Sequence, residues 1–566
     1  MRRKVKLAAV LMALAAWCGC AALSRGQSAA TAAATTSASS GHAISGTLVN
    51  AKSGLPIADA DVYLSDTREN KRAAETKTDS EGRFSFSDLR DGKYGLRASH
   101  RGFVAAYFQE HQGFWTGIVT GDGLESTGLK MTLEPQGVLY GTVTDESGDP
   151  VPQARISLYR PDPNSGTGKM QRAGSASSDG LGNFEFPRLS PGSYYLSVVG
   201  KPWYSTHPQP RLDADGSLID DAHHYPLDVA YPTTYYPDVT EAGSAATIPV
   251  TAGDRIPVNL VLHPVPAVHV SMKVPNPGLN QPMATPQFRE DVFGFSEVAQ
   301  GNVRYYQSHL DQQGGTTTVQ IDGLAPGTYD LELRTFSGSN DAGSRMTTVD
   351  ATTDRISVDV SSAQPMADVS GKLAMAGSAA LPSGLSAMLS SQQGEERMGQ
   401  PVGADGTFHF QSMRPGTYEL TVRASGKSLA VTQLTASGAT VTGHLVKIGS
   451  ESVELNAVLA EVSGSVSGFA TLDGKPAPGV FVLLVPADPN AGTEAYRPDQ
   501  SDSDGSFEYK RVIAGQYTVV AIEDGWTLEW ARPEVMAKYL AKGVKVTVPR
   551  RSADIALKDA VEMQAK

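Results

Sequence analysis

The sequence predicts an all-β protein, built as a tandem array of about five β-sandwich modules. A phrase recurs along the chain, for example as "TDSEGRFSFSDLRDGKYGLRA" from Thr78 and "SDGLGNFEFPRLSPGSYYLSV" from Ser178. An apolar residue precedes a tyrosine by 10 positions in five places, and a glycine stands two residues before each of these tyrosines. Around these positions apolar and polar residues alternate with a period of two, which is typical of half-buried strands.

The constant interval indicates five copies of one unit. The five pairs are Phe84 and Tyr94, Phe184 and Tyr194, Val319 and Tyr329, Phe408 and Tyr418, and Phe507 and Tyr517. Asp79 and Gly82 occupy the first and fourth positions of a predicted turn, which the first strand of the phrase follows. The Gly-x-Tyr element is similar to a tyrosine corner, in which the hydroxyl bonds to a nearby backbone group.

Each copy also has an opening strand, a second strand and an alternating closing strand. About seven short strands per copy, with turns every 8–12 residues, favour a sandwich over a barrel or a propeller. A short helix is predicted in the last copy, with Pro533 just inside its start and Gly543 just beyond its end. The predicted domains are a signal peptide (1–24), a flexible linker (25–43) and sandwiches at 44–135, 136–264 with an aromatic insertion, 265–362 in degenerate form, 366–460 and 461–560 with the short helix.

The N-terminal segment is predicted to be a secretory signal peptide. Four basic residues precede an apolar stretch from Leu7 to Trp17. This stretch is shorter than the roughly 20 residues that a spanning helix needs. We therefore expect an exported protein, periplasmic, outer-membrane-associated or extracellular, without a membrane-spanning segment in the mature chain.

The two cysteines, Cys18 and Cys20, both lie in this leader. Lipidation of Cys20, which would give a lipid anchor, and a plain cleavage after Ala22 or Ser24 are the two alternatives. In both cases the mature chain contains no disulfide, so its stability has to come from packing.

The residues of the repeat resemble the carboxypeptidase regulatory-like domain, an Ig- or prealbumin-like sandwich related to Cna B-type modules. The first copy carries the pattern as Gly46-x-Leu48, Gly54-x-Pro56, Thr78-Asp79, Gly82-x-Phe84 and Gly92-x-Tyr94. The second copy repeats it from Gly141, and the fifth copy from Gly464. The resemblance implies a repeat protein of a bacterial envelope; it is specific for fold and says little about function, since such modules accompany enzymes, adhesins and receptors.

The motifs argue against an enzyme. None of the 11 histidines has a glutamate three residues later, and no Gly-x-Ser-x-Gly elbow or phosphate-binding loop is present. The charge of −12, without a basic run after the leader, argues against a nucleic-acid partner. We expect no catalytic residue, no cofactor and no metal, and the one weak calcium candidate is the acidic segment with Asp213, Asp215, Asp220 and Asp221.

The insertion of the second copy is rich in aromatic residues. Two interpretations are open: the rings pack on the sandwich and extend its core, or they stack on sugar faces, with Asp228 and Asp238 accepting bonds from sugar hydroxyls. The candidate carbohydrate-binding residues are Trp203, Tyr204, Tyr231, Tyr235 and Tyr236.

These observations lead to two functional hypotheses. The first is an exported, non-catalytic binding or scaffold protein, a rod of five modules that binds a carbohydrate or another cell-envelope polymer. The second is a structural component at the outer membrane that docks a receptor or a secretion partner. The expected partner is accordingly a polysaccharide or an envelope protein.

Overall fold

The structure is a computed structural model. It describes residues 41–208, 211–212, 218–219, 225–276, 285–311, 314–334, 336–337, 340–341, 343–392, 397–462, 464–550 and 553–566. The five largest hydrophobic cores of the described residues follow one another along the chain. They define five sandwiches, named modules 1 to 5 here, whose cores run from Ile44 to Leu133, Leu139 to Leu262, Val268 to Ala363, Ala367 to Leu459 and Val466 to Val561.

The fold class is as predicted, a tandem array of about five Ig- or prealbumin-like sandwiches, and the modules share one strand arrangement. The opening strand lies between the first strand of the phrase, with which it is antiparallel, and the closing strand, with which it is parallel. The tyrosine strand belongs to the other sheet, where it pairs with the second strand of the module. The phrase thus crosses from one sheet to the other. Phe84 and Tyr94 consequently meet in one core from opposite sheets.

Modules 1 and 2 each contain a smaller and a larger main sheet. Module 1 has His42–Asn50, Arg83–Leu89 and Leu129–Leu133 in one sheet, and Asp61–Asp66, Lys71–Lys77, Gly92–Ser99, Ala106–Tyr107 and Ile118–Thr120 in the other. Module 2 has Gly137–Asp145, Asn183–Leu189, Arg255–Pro257 and Leu260–Leu262 in one sheet, and Arg155–Pro161, Met170–Ser177, Gly192–Val199, Thr234–Tyr235 and Ile248–Val250 in the other, with the short pairs Arg211–Leu212 and Leu218–Ile219, and Val229–Ala230 and Val265–Pro266.

Modules 3 and 4 each pair a four-stranded with a five-stranded sheet. Module 3 has Val268–Asn276, Asn302–Asp311, Gly314–Leu324 and Arg355–Val358 in one sheet, and Thr285–Val292, Phe295–Val298, Gly327–Arg334, Arg345–Ala351 and Gln364–Pro365 in the other, with the pair Phe336–Ser337 and Asn340–Asp341. Module 4 has Ala367–Met375, Thr407–Met413, Leu429–Ser437 and Val453–Glu461 in one sheet, and Ser386–Ser391, Arg397–Pro401, Gly416–Arg423, Thr440–Thr442 and Leu445–Ile448 in the other.

Module 5 joins its two layers through Val561–Gln564, which pairs with both the opening strand and the tyrosine strand. Its strands are Gly464–Leu472, Lys475–Pro476, Phe481–Pro486, Arg497–Gln500, Ser506–Val512, Gly515–Ile522, Val544–Val548, Asp554–Ala556 and Val561–Gln564. The α-helix Pro533–Leu540 confirms the predicted short helix, and 3-10 turns occur at Ala242–Ser244, Val360–Ser362, Ala376–Ser378, Thr493–Ala495 and Gly525–Thr527. Among the described residues no helix is long and apolar enough to span a bilayer.

The opening strand of module 5 requires one correction. The resemblance assigned the first-strand glycine of this copy to Gly464, but the strand register places Gly468 opposite Phe507. In modules 1 and 2 the corresponding pairs are Gly46 with Phe84 and Gly141 with Phe184. The sequence "GSVSG" offers two glycines four residues apart, and the pairing with the phenylalanine strand decides between them.

In modules 1 and 5 the segment after the tyrosine strand packs on the outer face of that strand's sheet. In module 1 the ring of Trp115 stacks on Tyr107, with 4.9 Å between the ring centroids. In module 5 the helix residues Met536 and Tyr539 are buried with Trp530 against the strand that carries Phe481. Both segments also take part in the contact between modules 1 and 5, where Phe114 packs on Phe481.

The modules contact each other in sequence, and the fifth contacts the first. The Lys93 Nζ of module 1 lies 2.7 Å from a carboxylate oxygen of Asp502 in module 5. The ring of His111 stacks on Trp526, with 4.0 Å between centroids. In a rod, modules 1 and 5 would not touch, so the expectation of a rod is wrong.

Candidate binding surface

The structure separates the five aromatic candidates of module 2 into buried and accessible rings. Tyr231 and Tyr235 are only 5% and 4% exposed, respectively. Tyr231 belongs to the core of module 2, whereas Tyr235 packs on Phe293 of module 3 with 5.2 Å between centroids. Tyr236 is half-buried against the core of module 2. The alternative that rings extend the core therefore describes these three, and Tyr231 and Tyr235 present no face to a ligand in solution.

The other two candidates lie at the surface. Trp203 is 70% exposed, and Tyr204 is half-buried beside it with its ring perpendicular, at 5.7 Å between centroids. Tyr225 and Leu227, at 40% and 50% exposure, lie on a second segment of the insertion. The backbone N–H of Thr206 donates to the Leu227 carbonyl at 2.8 Å and holds the two segments together. We call Trp203, Tyr204, Tyr225 and Leu227 the platform.

A carboxylate lies at the edge of the platform. The Tyr204 hydroxyl donates to an oxygen of Glu146 at 2.6 Å. Burial and this hydrogen bond raise the pKa of Tyr204, so the hydroxyl stays protonated and keeps donating. The bond orients the Tyr204 ring, and with it the perpendicular face on which Trp203 rests.

The two aspartates expected to accept sugar hydroxyls are already engaged within the protein. Asp238 accepts from the backbone N–H of Val261 at 3.0 Å. Asp228 is buried and accepts from two histidines. Glu146, which the sequence reasoning passed over, is the carboxylate that the fold brings to the platform.

Sequence reasoning also missed a buried polar chain behind the platform. His207 Nδ1 lies 2.7 Å from one oxygen of Asp228, and the other oxygen of Asp228 lies 2.7 Å from His269 Nε2 in module 3. His269 Nδ1 in turn lies 2.7 Å from Asp322. We call these four side chains the His–Asp chain. The signal in the sequence was a histidine at a polar position of an otherwise apolar alternating strand, "VHVSMKV".

The contact between modules 1 and 5 is a hydrogen-bonded interface. The Gln500 side-chain amide donates to the Gln109 carbonyl at 2.7 Å and to Thr116 Oγ1 at 2.8 Å, and its oxygen lies 3.2 Å from His111 Nδ1. Asp502 is the turn aspartate of the fifth phrase. Where Asp79 accepts from backbone N–H groups of its own turn, Asp502 accepts from the Gly117 N–H of module 1. A residue of the repeat thus serves here in an interface.

Two groups of predicted residues lie outside the described residues. They are the calcium candidates Asp213, Asp215, Asp220 and Asp221, and the lipidation candidate Cys20. Within the described ranges no group of three or more histidine, cysteine, aspartate or glutamate side chains is arranged to hold a metal ion.

The family comparison agrees with this architecture. Residues 43–117 and 138–218 match the carboxypeptidase regulatory-like domain. The two matched segments fall in modules 1 and 2. The chain is therefore a repeat protein that contains this domain type, as the resemblance in the sequence implied. No curated protein matches the sequence.

Several solved structures are similar to parts of the chain. The minor pilin GBS52 of Streptococcus agalactiae is 14% identical, with a TM-score of 0.21, over 40% of this chain and 97% of that one. The shaft pilin SpaA of Lactobacillus rhamnosus GG is 9% identical, with a TM-score of 0.19, over 40% and 98%. The Bacillus anthracis TIE protein is 9% identical, with a TM-score of 0.15, over 92% and 68%.

Proposed function

We propose that this protein is an exported, non-catalytic scaffold whose module 2 binds a carbohydrate or another cell-envelope polymer at the platform. The observation that carries the proposal is the exposure of Trp203 on a surface that also presents Tyr204, Tyr225 and Leu227. Several apolar side chains exposed near one another on a folded domain mark an interaction site more often than a single exposed ring does.

The platform has the chemistry that a sugar requires. A pyranose ring has an apolar face, which packs on a flat aromatic ring, and hydroxyls at its rim, which need hydrogen-bond partners. Trp203 supplies the flat ring and the Glu146 carboxylate supplies acceptor capacity beside it. The sequence contains none of the catalytic motifs considered above, which supports a non-catalytic protein. The predicted signal peptide supports export.

The proposal is tested by the binding of the chain without residues 1–24 to insoluble cellulose, chitin and peptidoglycan sacculi. Trp203→Ala should lower the affinity for the polysaccharide that binds by about tenfold or more, because a central tryptophan contributes more than about 1.4 kcal/mol. The matched control is Leu181→Ala, an exposed apolar side chain in a turn of the same module, and it should bind like the original chain.

Trp203→Ala is a cleaner variant than Tyr235→Ala, whose ring packs between modules 2 and 3. Equal binding by Trp203→Ala and the original chain, or binding of the original chain to none of the three polymers, would contradict the proposal.

A further inference from the structure

The His–Asp chain connects the platform to module 3. His207 lies four residues after Trp203, and Asp228 follows Leu227 directly. The backbone N–H of Asp228 donates to the Tyr225 carbonyl at 2.9 Å. Both segments of the platform therefore end in a side chain that belongs to the His–Asp chain.

The end of the His–Asp chain that lies in module 3 is also held in place by regular structure. His269 and Asp322 lie on neighbouring strands of module 3, Val268–Asn276 and Gly314–Leu324. The side chains of His207, His269 and Asp322 are nearly inaccessible to solvent, and that of Asp228 is only slightly more open. Water therefore competes little for these hydrogen bonds.

The geometry sets the number of protons. His269 has a carboxylate on each ring nitrogen, Asp228 at Nε2 and Asp322 at Nδ1, each at 2.7 Å. An ionised carboxylate only accepts, so with both aspartates ionised both nitrogens of His269 carry a proton and the ring is an imidazolium. His207 meets one carboxylate, that of Asp228, through Nδ1 at 2.7 Å.

The charges around His269 balance in this state. Asp228 and Asp322 face it from the two modules, Arg304 Nε lies 3.3 Å from the second oxygen of Asp322, and the Gln320 side chain donates to Asp322. Two carboxylates are thus matched by His269 and Arg304. The exposed Arg355 is in register with His269 on the adjacent strand. Removal of one proton from His269 leaves one carboxylate without its donor and a net buried negative charge, which is costly.

We propose that the His–Asp chain is a proton-dependent contact that sets the position of the platform on module 3, so that ligand binding at the platform requires the doubly protonated form of His269. The ligand part rests on the function proposed above, whereas the positional part does not. The side chains of the His–Asp chain are positioning residues, because they hold the platform segments in place and do not contact the ligand, which binds at Trp203.

The electrostatics support the same assignment. Burial by itself would lower the pKa of His269, but the hydrogen bonds to Asp228 and Asp322 raise it to about 9. Burial would raise the pKa of Asp228, but the hydrogen bonds from the two histidines lower it to about 2. A raised histidine pKa contributes stability that is complete below the unfolded value of about 6.5 and is lost as the pH rises through about 9. A lowered aspartate pKa contributes stability that is present above about 3.9 and is lost as the pH falls through about 2.

The first measurement needs no substitution in the His–Asp chain. The chain without residues 1–24 is labelled with 13C at the histidine Cε1 and with 5-fluorotryptophan, and both spectra are followed from pH 6 to pH 10.5. The His269 signal is identified by its loss in His269→Gln, and the Trp203 signal by its loss in Trp203→Phe. We expect the two signals to titrate with one midpoint near pH 9. A His269 midpoint below about pH 7, or a Trp203 signal that does not change over this range, would overturn the proposal.

The second measurement changes the midpoint. Asp322→Asn keeps an acceptor oxygen but removes one charge, so the midpoint of both signals should move towards that of a free histidine, about 6.5. His409→Gln, at an exposed histidine of module 4, is the control and should leave the midpoint unchanged. A purely structural role of Asp322 would lower the stability without moving the midpoint of the Trp203 signal, and that result would count against the proposal.

The third measurement separates this inference from the proposed function. Binding to the polysaccharide retained on cellulose, chitin or sacculi is compared at pH 7.5 and pH 10, where we expect about a fivefold or larger loss, the size of a typical coupling between linked events. Binding that depends on Trp203 but not on pH would overturn the proton-dependent contact and leave the proposed function standing. Absence of binding at every pH, with the His269 and Trp203 signals titrating together, would support the contact and remove the carbohydrate function.

Discussion

At the scale of single residues, the repeated tyrosine makes the same hydrogen bond in every module and packs near the glycine two residues before it. In all five modules its hydroxyl donates to the backbone carbonyl four residues earlier, at 2.6 to 3.1 Å. The ring folds back over the glycine, so that a Cβ at Gly416 would lie 3.2 Å from the ring of Tyr418. The tyrosine corner predicted from the sequence is thereby confirmed. In modules 4 and 5 the returning ring also takes part of the space that a side chain would need at Gly416 and Gly515.

The corner in module 2 gives a prediction at this scale. Tyr194→Phe removes the 2.7 Å bond to the Ser190 carbonyl while it keeps the buried ring. We expect a loss of about 1 kcal/mol in the free energy of unfolding, the usual net contribution of one hydrogen bond. Urea denaturation followed by fluorescence measures it, with Tyr140→Phe, at an exposed tyrosine, as the control. A Tyr194→Phe chain as stable as the control would contradict the role of the hydroxyl.

At the scale of elements, the opening strand is held between two partners at a distance that excludes a side chain. A Cβ at Gly141 would lie 1.8 Å from the Val258 carbonyl oxygen, and one at Gly46 would lie 2.2 Å from the Leu129 carbonyl oxygen. These glycines permit the parallel closing strand to approach. The sequence pattern identified the glycine opposite the phenylalanine correctly in modules 1 and 2 but not in module 5. Both glycines of "GSVSG" fit the pattern there, and the local sequence does not show the register of the two strands.

Substitution of Gly141 tests this explanation. Gly141→Ala should cost about 1–3 kcal/mol, since the closing strand has to move away from the new methyl group. Gly180→Ala is the matched control in the same module, because a Cβ there meets nothing within 4 Å. Thermal unfolding at a single pH compares the two, and a Gly141→Ala chain that unfolds with the control would disprove the close approach.

At the scale of the whole molecule, contacts between modules engage residues that the repeat would otherwise leave exposed. Glu419 of module 4 accepts from Thr493 of module 5 at 2.7 Å, and Arg414 of module 4 pairs with the buried Glu332 of module 3. Gly117 of module 1 donates to Asp502 of module 5 at 3.0 Å, across 385 residues of sequence. The buried side chains of Glu332 and Asp502 thus join modules through polar contacts.

The contact between modules 1 and 5 gives a prediction for the molecule as a whole. Gln500→Ala removes a fully buried side chain, so the Gln109 carbonyl and Thr116 Oγ1 lose the amide that donates to them. Each unpaired group should cost about 1–3 kcal/mol of the free energy that holds modules 1 and 5 together. We expect the two modules to separate and the radius of gyration measured by small-angle X-ray scattering to increase. Gln433→Ala, at an exposed glutamine of module 4, should leave it unchanged. An unchanged radius in Gln500→Ala would show that the aromatic contacts hold the modules together without it.

The candidate site could be predicted only in part. The sequence pointed to the insertion of module 2, because aromatic residues and prolines are concentrated there, and Trp203 and Tyr204 are indeed accessible. It did not distinguish them from Tyr231 and Tyr235, since whether a ring in a loop is buried depends on what lies beneath it. For Tyr235 that neighbour is Phe293 of module 3, and nothing in the sequence around Tyr235 indicates it.

The sequence by itself determined the number of modules, the strand and turn pattern within them and the tyrosine corner. All of these follow from local alternation and spacing, in which each residue responds to the core of its own sandwich. Only the tertiary structure decided that modules 1 and 5 touch, that Glu146 and not Asp228 borders the platform, and that His269 lies between two carboxylates. These arrangements join side chains from separate elements or modules, and their energy depends on distances that a periodic pattern does not contain.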